Sequence, residues 1–331
     1  MDKEKIKLNI EREYGIEVKT IEKVKHTYKI NGNEGYCLKV SQYKFPHFYF
    51  ILSSMNHLRD NGFNSVLEIL KTKSGKQYVE IDGKYAYLTD WIKSRQSDFN
   101  NLEELSLVSN KLSELHKFSC GFNITPVMKP RIYWFSWINT FKTRINEIRD
   151  FQNRISQKAY KNDFDILYLS SLEEEIDRGC RSIKGLEKCK YFEIMQEQVM
   201  KRGFCHHDFA NHNILIDDNE EIKIIDFDYC ILDSNIHDLA SLMIRSMKGN
   251  KWDNSIANVI LDSYSKNIIL TKDEFEMMKE FMRFPQDFWQ IGLQVYWEQQ
   301  PWGEEFFINK LNRYLNDRDQ RERFINNFCY N

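Results

Sequence analysis

Apolar positions change their period along this chain, and each change predicts a change of architecture. Ile6, Ile10 and Tyr14 recur every four residues, the spacing of a short amphipathic helix. In "EGYCLKV" the side chains of Tyr36, Leu38 and Val40 share one face of a strand, so Lys39 points from the other. "FYFILSSMNHLRDNGF" (48–63) predicts a helix closed by Asn61-Gly62. "KQYVEIDGKYAYLTDW" (76–91) predicts a hairpin about Asp82-Gly83. The first ninety residues therefore form a mixed unit of several strands and one or two helices.

After Trp91 the pattern becomes helical. Leu105, Val108, Leu112 and Leu115 keep helical spacing, as do Trp134, Ile138, Phe141, Ile145 and Ile148, in a helix expected to run past Ile155. Stretches 165–178 and 191–202 are further helix candidates. Strand character returns around 204–228, and from 253 onward the chain is again helical, with "TKDE" (271–274) fitting a capping box. The expected class is α+β: a small strand-rich lobe over 1–90, a hinge near residue 90, and a large, mainly helical lobe over 91–331. His116 falls on an apolar helix face and reads as core or loop-bracing. The aromatic stretch 284–297 reads as helix packing, with an acceptor-pocket wall as the alternative. The charged helix around 141–160 reads as a solvated face over an apolar stripe, with a lid role as its alternative.

Composition narrows the function classes. The chain has 331 residues, 42% of them hydrophobic, enough to bury a large core. A net charge of −2 offers no basic excess for nucleic acid. The first residues lack a signal-peptide core, and runs such as "FYFIL" are far below the ~20 residues of a membrane span, so synthesis in the cytoplasm is expected. Seven cysteines without a C-x-x-C fit neither a disulfide framework nor a zinc ribbon. Most are expected to be buried free thiols, with Cys329 exposed near the C-terminus.

The densest chemistry lies in "HHDFANHN" (206–213). A zinc hydrolase helix would place two histidines four apart around a glutamate, and that spacing does not occur. Phosphoryl transfer instead needs H-x-D, four residues, then Asn, which His206-His207-Asp208 and Asn213 supply. One carboxylate accepts the proton of the attacking hydroxyl, and a neutral oxygen a short loop away holds magnesium on the phosphates. A second ligand must come from a separate strand end. In "ILIDDNEEIKIIDFD" (214–228), Ile214–Ile216 and Ile222–Ile225 predict a hairpin that ends in Asp226-Phe227-Asp228, where protein kinases carry D-F-G. Asp208 is thus the candidate general base, and Asn213 and Asp226 are candidate metal ligands. Asp228, in place of the glycine, is a candidate further ligand. His206 is expected to brace the loop, and His207 and His212 face substrate or solvent.

Lys39 in "YCLKV" resembles the strand lysine of V-A-I-K, which pairs with nucleotide phosphates. Two usual parts are missing. No G-x-G-x-x-G precedes it, since "VKHTYKINGNEG" has glycines only at 32 and 35. The helix expected at about 46–61 contains no glutamate to hold the lysine.

"CHHDFANHNILI" with "IIDFDYCILDSNIHDLASLM" resembles the aminoglycoside phosphotransferase and choline kinase superfamily. Within it the chain is similar to the CotS family of bacterial spore-coat proteins, with support from "GYCLKV", "LSELHKFS", "FPQDFWQIG" and "PWGEEFFINKL". The resemblance implies a two-lobed, protein-kinase-like fold, ATP and Mg²⁺ as cofactors, synthesis in the mother cell and deposition in the spore coat. It matches Asp208 to the catalytic aspartate, Asn213 and Asp226 to metal ligands, and Lys39 to the nucleotide lysine. It also implies that Asp238 steadies the catalytic loop and that the backbone of Asp90, Trp91 and Ile92 meets adenine. Glycine-poor phosphate loops occur in the family; the absent helix glutamate is a departure that bears on catalysis.

Two functions follow. One is a Mg-ATP-dependent phosphotransferase acting on a hydroxyl of a small molecule or sugar. The other is a structural coat component, in contact with other coat proteins, with weak or no catalysis. A protein kinase fits less well, because there is no D-F-G glycine and no A-P-E segment.

Overall fold

The computed structural model describes residues 2–329, with Asn33 by its backbone only. By packing, the chain divides into two compact units: Met1–Ile132 with Lys201–Asn235, and Tyr133–Met200 with Ile236–Asn331. The 1–90 and 91–331 division follows element type; the packing units follow which segments bury one another.

Among the described residues, the first unit carries both sheets. Helix α1 (Lys3–Tyr14) is capped by Asp2, whose carboxylate accepts from the Glu4 N–H. Strands β1 (Ile21–Val24), β2 (Thr27–Ile30), β3 (Tyr36–Val40), β4 (Val79–Ile81) and β5 (Lys84–Asp90) form an antiparallel sheet in the order β1-β2-β3-β5-β4. Its core face buries Tyr28, Ile30, Leu38, Val40, Ala86 and Leu88 together with Ile6 and Ile10 of α1. Alternation along β3 therefore sends Cys37 and Lys39 to the opposite face, as the sequence predicts. The β4–β5 turn is at Asp82-Gly83, both with positive φ, the left-handed pair a two-residue hairpin requires. Gly35, just before β3, has no alternative: a Cβ there would sit 1.8 Å from the Ile30 carbonyl oxygen.

Helix α2 (Phe45–Asp60) starts three residues earlier than the apolar run suggests, because Pro46 in its first turn fixes a helical φ without needing a hydrogen bond. It ends at Asn61 and Gly62, as expected. A second sheet, β6 (Ser94–Gln96), β7 (Ile214–Asp217) and β8 (Ile222–Ile224), joins the chain after the hinge to the 214–224 hairpin. Helix α3 (Leu102–Ser119) begins at an Asn101 cap and buries His116 among its apolar residues.

The second unit is helical: α4 (Trp137–Ser156), α5 (Asp163–Lys188), α6 (Tyr191–Lys201), α7 (Ile236–Met247), α8 (Asn254–Tyr264), α9 (Lys272–Arg283), α10 (Gln286–Tyr296) and α11 (Glu304–Asn327). Along α4, Ile138, Phe141, Ile145, Ile148, Phe151 and Ile155 form one buried stripe, so the charged remainder is a solvated face. Trp134 lies outside this helix, which begins at Trp137. Helix α5 extends ten residues beyond the 165–178 stretch. Thr271 and Glu274 form the expected capping box. Phe288 and Tyr296 of α10 are buried in helix packing.

All seven cysteines are free, but only Cys189, Cys205 and Cys230 are buried; Cys120 and Cys329 are exposed. The expectation of mostly buried thiols is corrected, because Cys37, Cys120 and Cys180 occupy positions that packing leaves partly open. Among the described residues no helix is long and apolar enough to cross a membrane.

Candidate functional site

The loop after α6 is built to hold Asp208. Cys205 exchanges two backbone hydrogen bonds with Ile231, at 2.9 and 3.1 Å. The chain then turns through His207 in the left-handed region (φ 68). His206 is fully buried beside the rings of Phe209 and Phe227. Its Nε2 lies 2.9 Å from the Ile225 carbonyl oxygen, so this histidine ties the 206–213 loop to the segment carrying Asp226.

Asn213 closes the loop. Its Nδ2 donates to the Asp208 carbonyl at 2.9 Å and to Asp208 Oδ2 at 3.0 Å. Its backbone accepts from the Ile225 N–H at 2.9 Å. Because the amide nitrogen is spent on Asp208, the amide oxygen is the group left to face the cavity as an acceptor. His212 Nε2 stands 3.9 Å from Asp208 Oδ2 on the exposed side. His206 inside and His212 outside the loop point to different surroundings. The local donors are amide and carboxylate oxygens, the set that suits magnesium rather than zinc.

Asp226 follows β8 with φ 62, a left-handed residue that reverses the chain into a tight turn at Phe227–Tyr229. This reversal aims Asp226 and Asp228 at the same cation. Lys39 Nζ is 2.9 Å from Asp226 Oδ1 and 3.1 Å from Asp228 Oδ2. Burial opposes the Lys39 charge, but the carboxylates of Asp228 and Asp226 outweigh it and raise its pKa above the usual lysine value. Burial pushes the Asp228 carboxyl up, while Lys39 pulls it back. Tyr87, the cross-strand partner of Lys39, is held far above its ordinary pKa by burial and then by these carboxylates, so it stays a neutral wall.

Lys39, Asn213 and Asp226 line one cavity of about 540 Å³ with Asp90, Trp91 and Ile92. This brings together the phosphate-side lysine, two of the three candidate metal ligands and the expected hinge. The Trp91 N–H donates to the Gly35 carbonyl at 2.9 Å, and Lys29 Nζ lies 4.7 Å over the Trp91 ring. Asp208 is reached through its bonds with Asn213. Asp228 is set back from the cavity and meets the site through Lys39. Asp238 sits in the first turn of α7, in the other compact unit.

Three features escaped the sequence. Lys25 and His26, at the β1–β2 turn, also line the cavity, and that turn holds no glycine; the glycines at 32 and 35 belong to the β2–β3 connection. Arg131 donates to the Tyr43 hydroxyl at 2.6 Å and to the Asp228 carbonyl at 3.4 Å, and lies over the Tyr43 and Tyr229 rings. The partners of Lys39 are the two aspartates of the D-F-D turn, not a glutamate from α2. The turn position of Lys25-His26 is visible in the sequence; the Arg131 contact has no local signal.

Comparisons with known proteins give the fold and the family. Spore coat protein S of Bacillus subtilis (strain 168) is 23% identical over 294 residues, covering 87% of this chain and 82% of that protein. An aminoglycoside phosphotransferase from Alicyclobacillus acidocaldarius superposes with a TM-score of 0.83 at 20% identity, over 96% of this chain and 93% of that one. Spectinomycin phosphotransferase APH(9)-Ia, solved with ADP and spectinomycin, superposes with a TM-score of 0.67 at 14% identity, over 99% and 98% of the two chains. The fold is thus α+β and protein-kinase-like, an antiparallel sheet followed by a mostly helical remainder, as the resemblance implies. The family model described as "Spore coat putative kinase YutH" matches residues 7–328, and the chain belongs to that family of CotS-like spore-coat proteins.

Proposed function

We propose that this chain is a Mg-ATP-dependent phosphotransferase that acts on a hydroxyl of a small molecule or sugar. The observation that carries the reading is the convergence of Lys39, Asn213, Asp226 and the 90–92 hinge on one cavity, with Asp208 hydrogen-bonded to Asn213. In this reading residues 1–90 supply the nucleotide lobe, and 91–331 supply the catalytic loop (204–228) and the acceptor side. Asn213 and Asp226 would hold Mg²⁺, with Asp228 a further candidate, and the chemistry supplied there would be neutralisation of phosphate charge. Lys39 binds phosphate oxygens. Asp208 accepts the acceptor hydroxyl's proton, and its bonds from Asn213 fix the carboxylate for that task. Asp238 is assigned the support of the loop. The relative from Bacillus subtilis, a spore coat protein by name, supports deposition in the coat; synthesis in the mother cell and contact with other coat proteins belong to the same proposal.

A second reading, a coat component with weak or no catalysis, is favoured by one observation. Lys39 is already held by two carboxylates of the metal side, so nucleotide and metal must displace an existing ion pair. Thermal unfolding with and without millimolar Mg-ATP separates the two. Ligand at 100 times its dissociation constant stabilises by about 2.7 kcal/mol. The enzyme reading expects a clear upward shift in wild type that Asp226→Asn loses. Identical, unshifted curves for both proteins would leave the structural reading. A positive shift is followed by a screen of sugars and amino alcohols for ATP consumption.

A further inference from the structure

A phosphate-binding lysine on a strand works only when an anion fixes its flexible stem; in protein kinases that anion is a helix glutamate. Here the corresponding helix, α2, has no glutamate, and its carboxylate Asp60 is exposed at the far, C-terminal end. We propose that Asp228 fills this place as the positioning residue for Lys39, leaving Asp226 as the carboxylate that serves the metal. The inference rests on the phosphotransferase reading and changes the task given to Asp228 within it.

Three observations separate the two aspartates, and a fourth shows that the lysine can spare one of them. Asp226 lines the cavity and its side chain is 36% exposed, whereas Asp228 is set back and 19% exposed. Asp228 approaches Lys39 from the side of α2: the 227–229 turn packs against that helix, and His47 in its first turn is near enough to feel the Asp228 charge. The Asp228 backbone is clamped independently, since Arg131 donates to its carbonyl and lies over the neighbouring Tyr229 ring. Finally, the tight turn after Asp226 gives the lysine two carboxylates at nearly equal distance. A cation that takes Asp226 removes one of them, and the lysine stays anchored by the other. A helix glutamate is then unnecessary, because the D-F-D turn carries both functions two residues apart.

The test has one arm without ligand and one with it. In urea unfolding of the unliganded protein, Asp228→Asn is expected to lower the midpoint by leaving Lys39 buried with a single partner. Adding Lys39→Met to that variant is expected to recover most of the loss, and to recover less when added to Asp226→Asn. In the second arm, Mn²⁺ binding is followed by electron paramagnetic resonance in the presence of ADP, and ADP binding is followed alone by calorimetry. Asp226→Asn is expected to weaken Mn²⁺ binding by tenfold or more, on the order of a lost charge-assisted contact. Asp228→Asn is expected to keep Mn²⁺ affinity near wild type while binding metal-free ADP as weakly as Lys39→Met does. The proposal is overturned if Asp228→Asn loses Mn²⁺ as Asp226→Asn does, or if Lys39→Met fails to recover the Asp228→Asn midpoint. Wild-type protein that binds neither ADP nor Mn²⁺ would sink the phosphotransferase reading, and the unfolding arm would still decide the Lys39–Asp228 pairing.

Discussion

Lys39 in the first unit faces two carboxylates, whereas Glu175 in the second unit faces guanidinium groups. Arg178 Nη1 is 3.5 Å and Arg318 Nη1 3.6 Å from Glu175 Oε1, and the Tyr314 hydroxyl donates to the same carboxylate. Arg178 Nε reaches Glu322 Oε2 at 3.3 Å, and Arg181 and Arg283 share Glu322. Both clusters bury charge. The helical one is buried at its centre, with side-chain exposures of 2% for Arg178 and 0% for Glu175, and Glu175 and Glu322 each meet at least two arginines. The one around Lys39 opens into a cavity, and there Asp226 and Asp228 share one lysine. A network with a buried centre ties α5 to α11. In the proposed phosphotransferase, the open network would take a cation that arrives with a ligand.

Three measurements can break this contrast, and the largest expected effect belongs to the open cluster. Asp208→Asn removes the proposed proton acceptor while keeping the Asn213 contact nearly isosteric. Phosphoryl transfer is expected to fall by about 10²–10⁴, the usual worth of a positioned base, with Mg-ATP binding retained. Steady-state turnover and nucleotide titration check it; full turnover in the variant would remove Asp208 from the chemistry.

Next in size is the helical cluster. Arg178→Ala leaves Glu175 buried and undercompensated, and truncating one member of such a pair costs roughly 3–5 kcal/mol. Urea unfolding measures this. A cost below about 1 kcal/mol, the range of exposed pairs, would mean that this network does not hold α5 to α11.

The smallest effect is in pH. Burial lifts the Glu175 carboxyl above its ordinary 4.5, although Arg178, Tyr314 and the other arginines pull it back. A carboxyl raised in the folded state contributes stability that is present below 4.5 and is lost as pH rises through its folded value. Glu175→Gln does not titrate. Its stability relative to wild type is therefore expected to increase with pH across that window and then level off, in urea unfolding followed against pH. A wild type that instead gains on Glu175→Gln as pH rises would show that the arginines outweigh burial.

How much of this was legible beforehand depends on how local each cause is. The cap at Thr271, the Asn61-Gly62 helix end, the Asp82-Gly83 turn and the 214–224 hairpin are decided by a few neighbouring residues, and all stand where the sequence puts them. Helix ends are less legible: Pro46 starts α2 early, and α5 continues past 178 because partners from distant helices bury its later turns. Cysteine exposure escapes the sequence for the same reason. Apolar character favours burial, but position in the packed unit decides it.

For the candidate site, the spacing in "HHDFANHN" and "IIDFD" identifies Asp208, Asn213 and Asp226, because a loop of fixed length and a strand end impose their own geometry. The alternation of β3 fixes which way Lys39 points. What holds Lys39 is beyond the sequence, for Asp228 is 189 positions away and reaches it only when Asp226 adopts a left-handed backbone and β3 lies beside the turn. The 540 Å³ cavity and the Arg131 clamp on Asp228 likewise combine segments far apart in the chain. Short-range sterics and hydrogen bonding write the elements and the motif spacing into the sequence itself. Which charges meet is settled only when burial removes water and makes each cation take the nearest carboxylate the fold supplies.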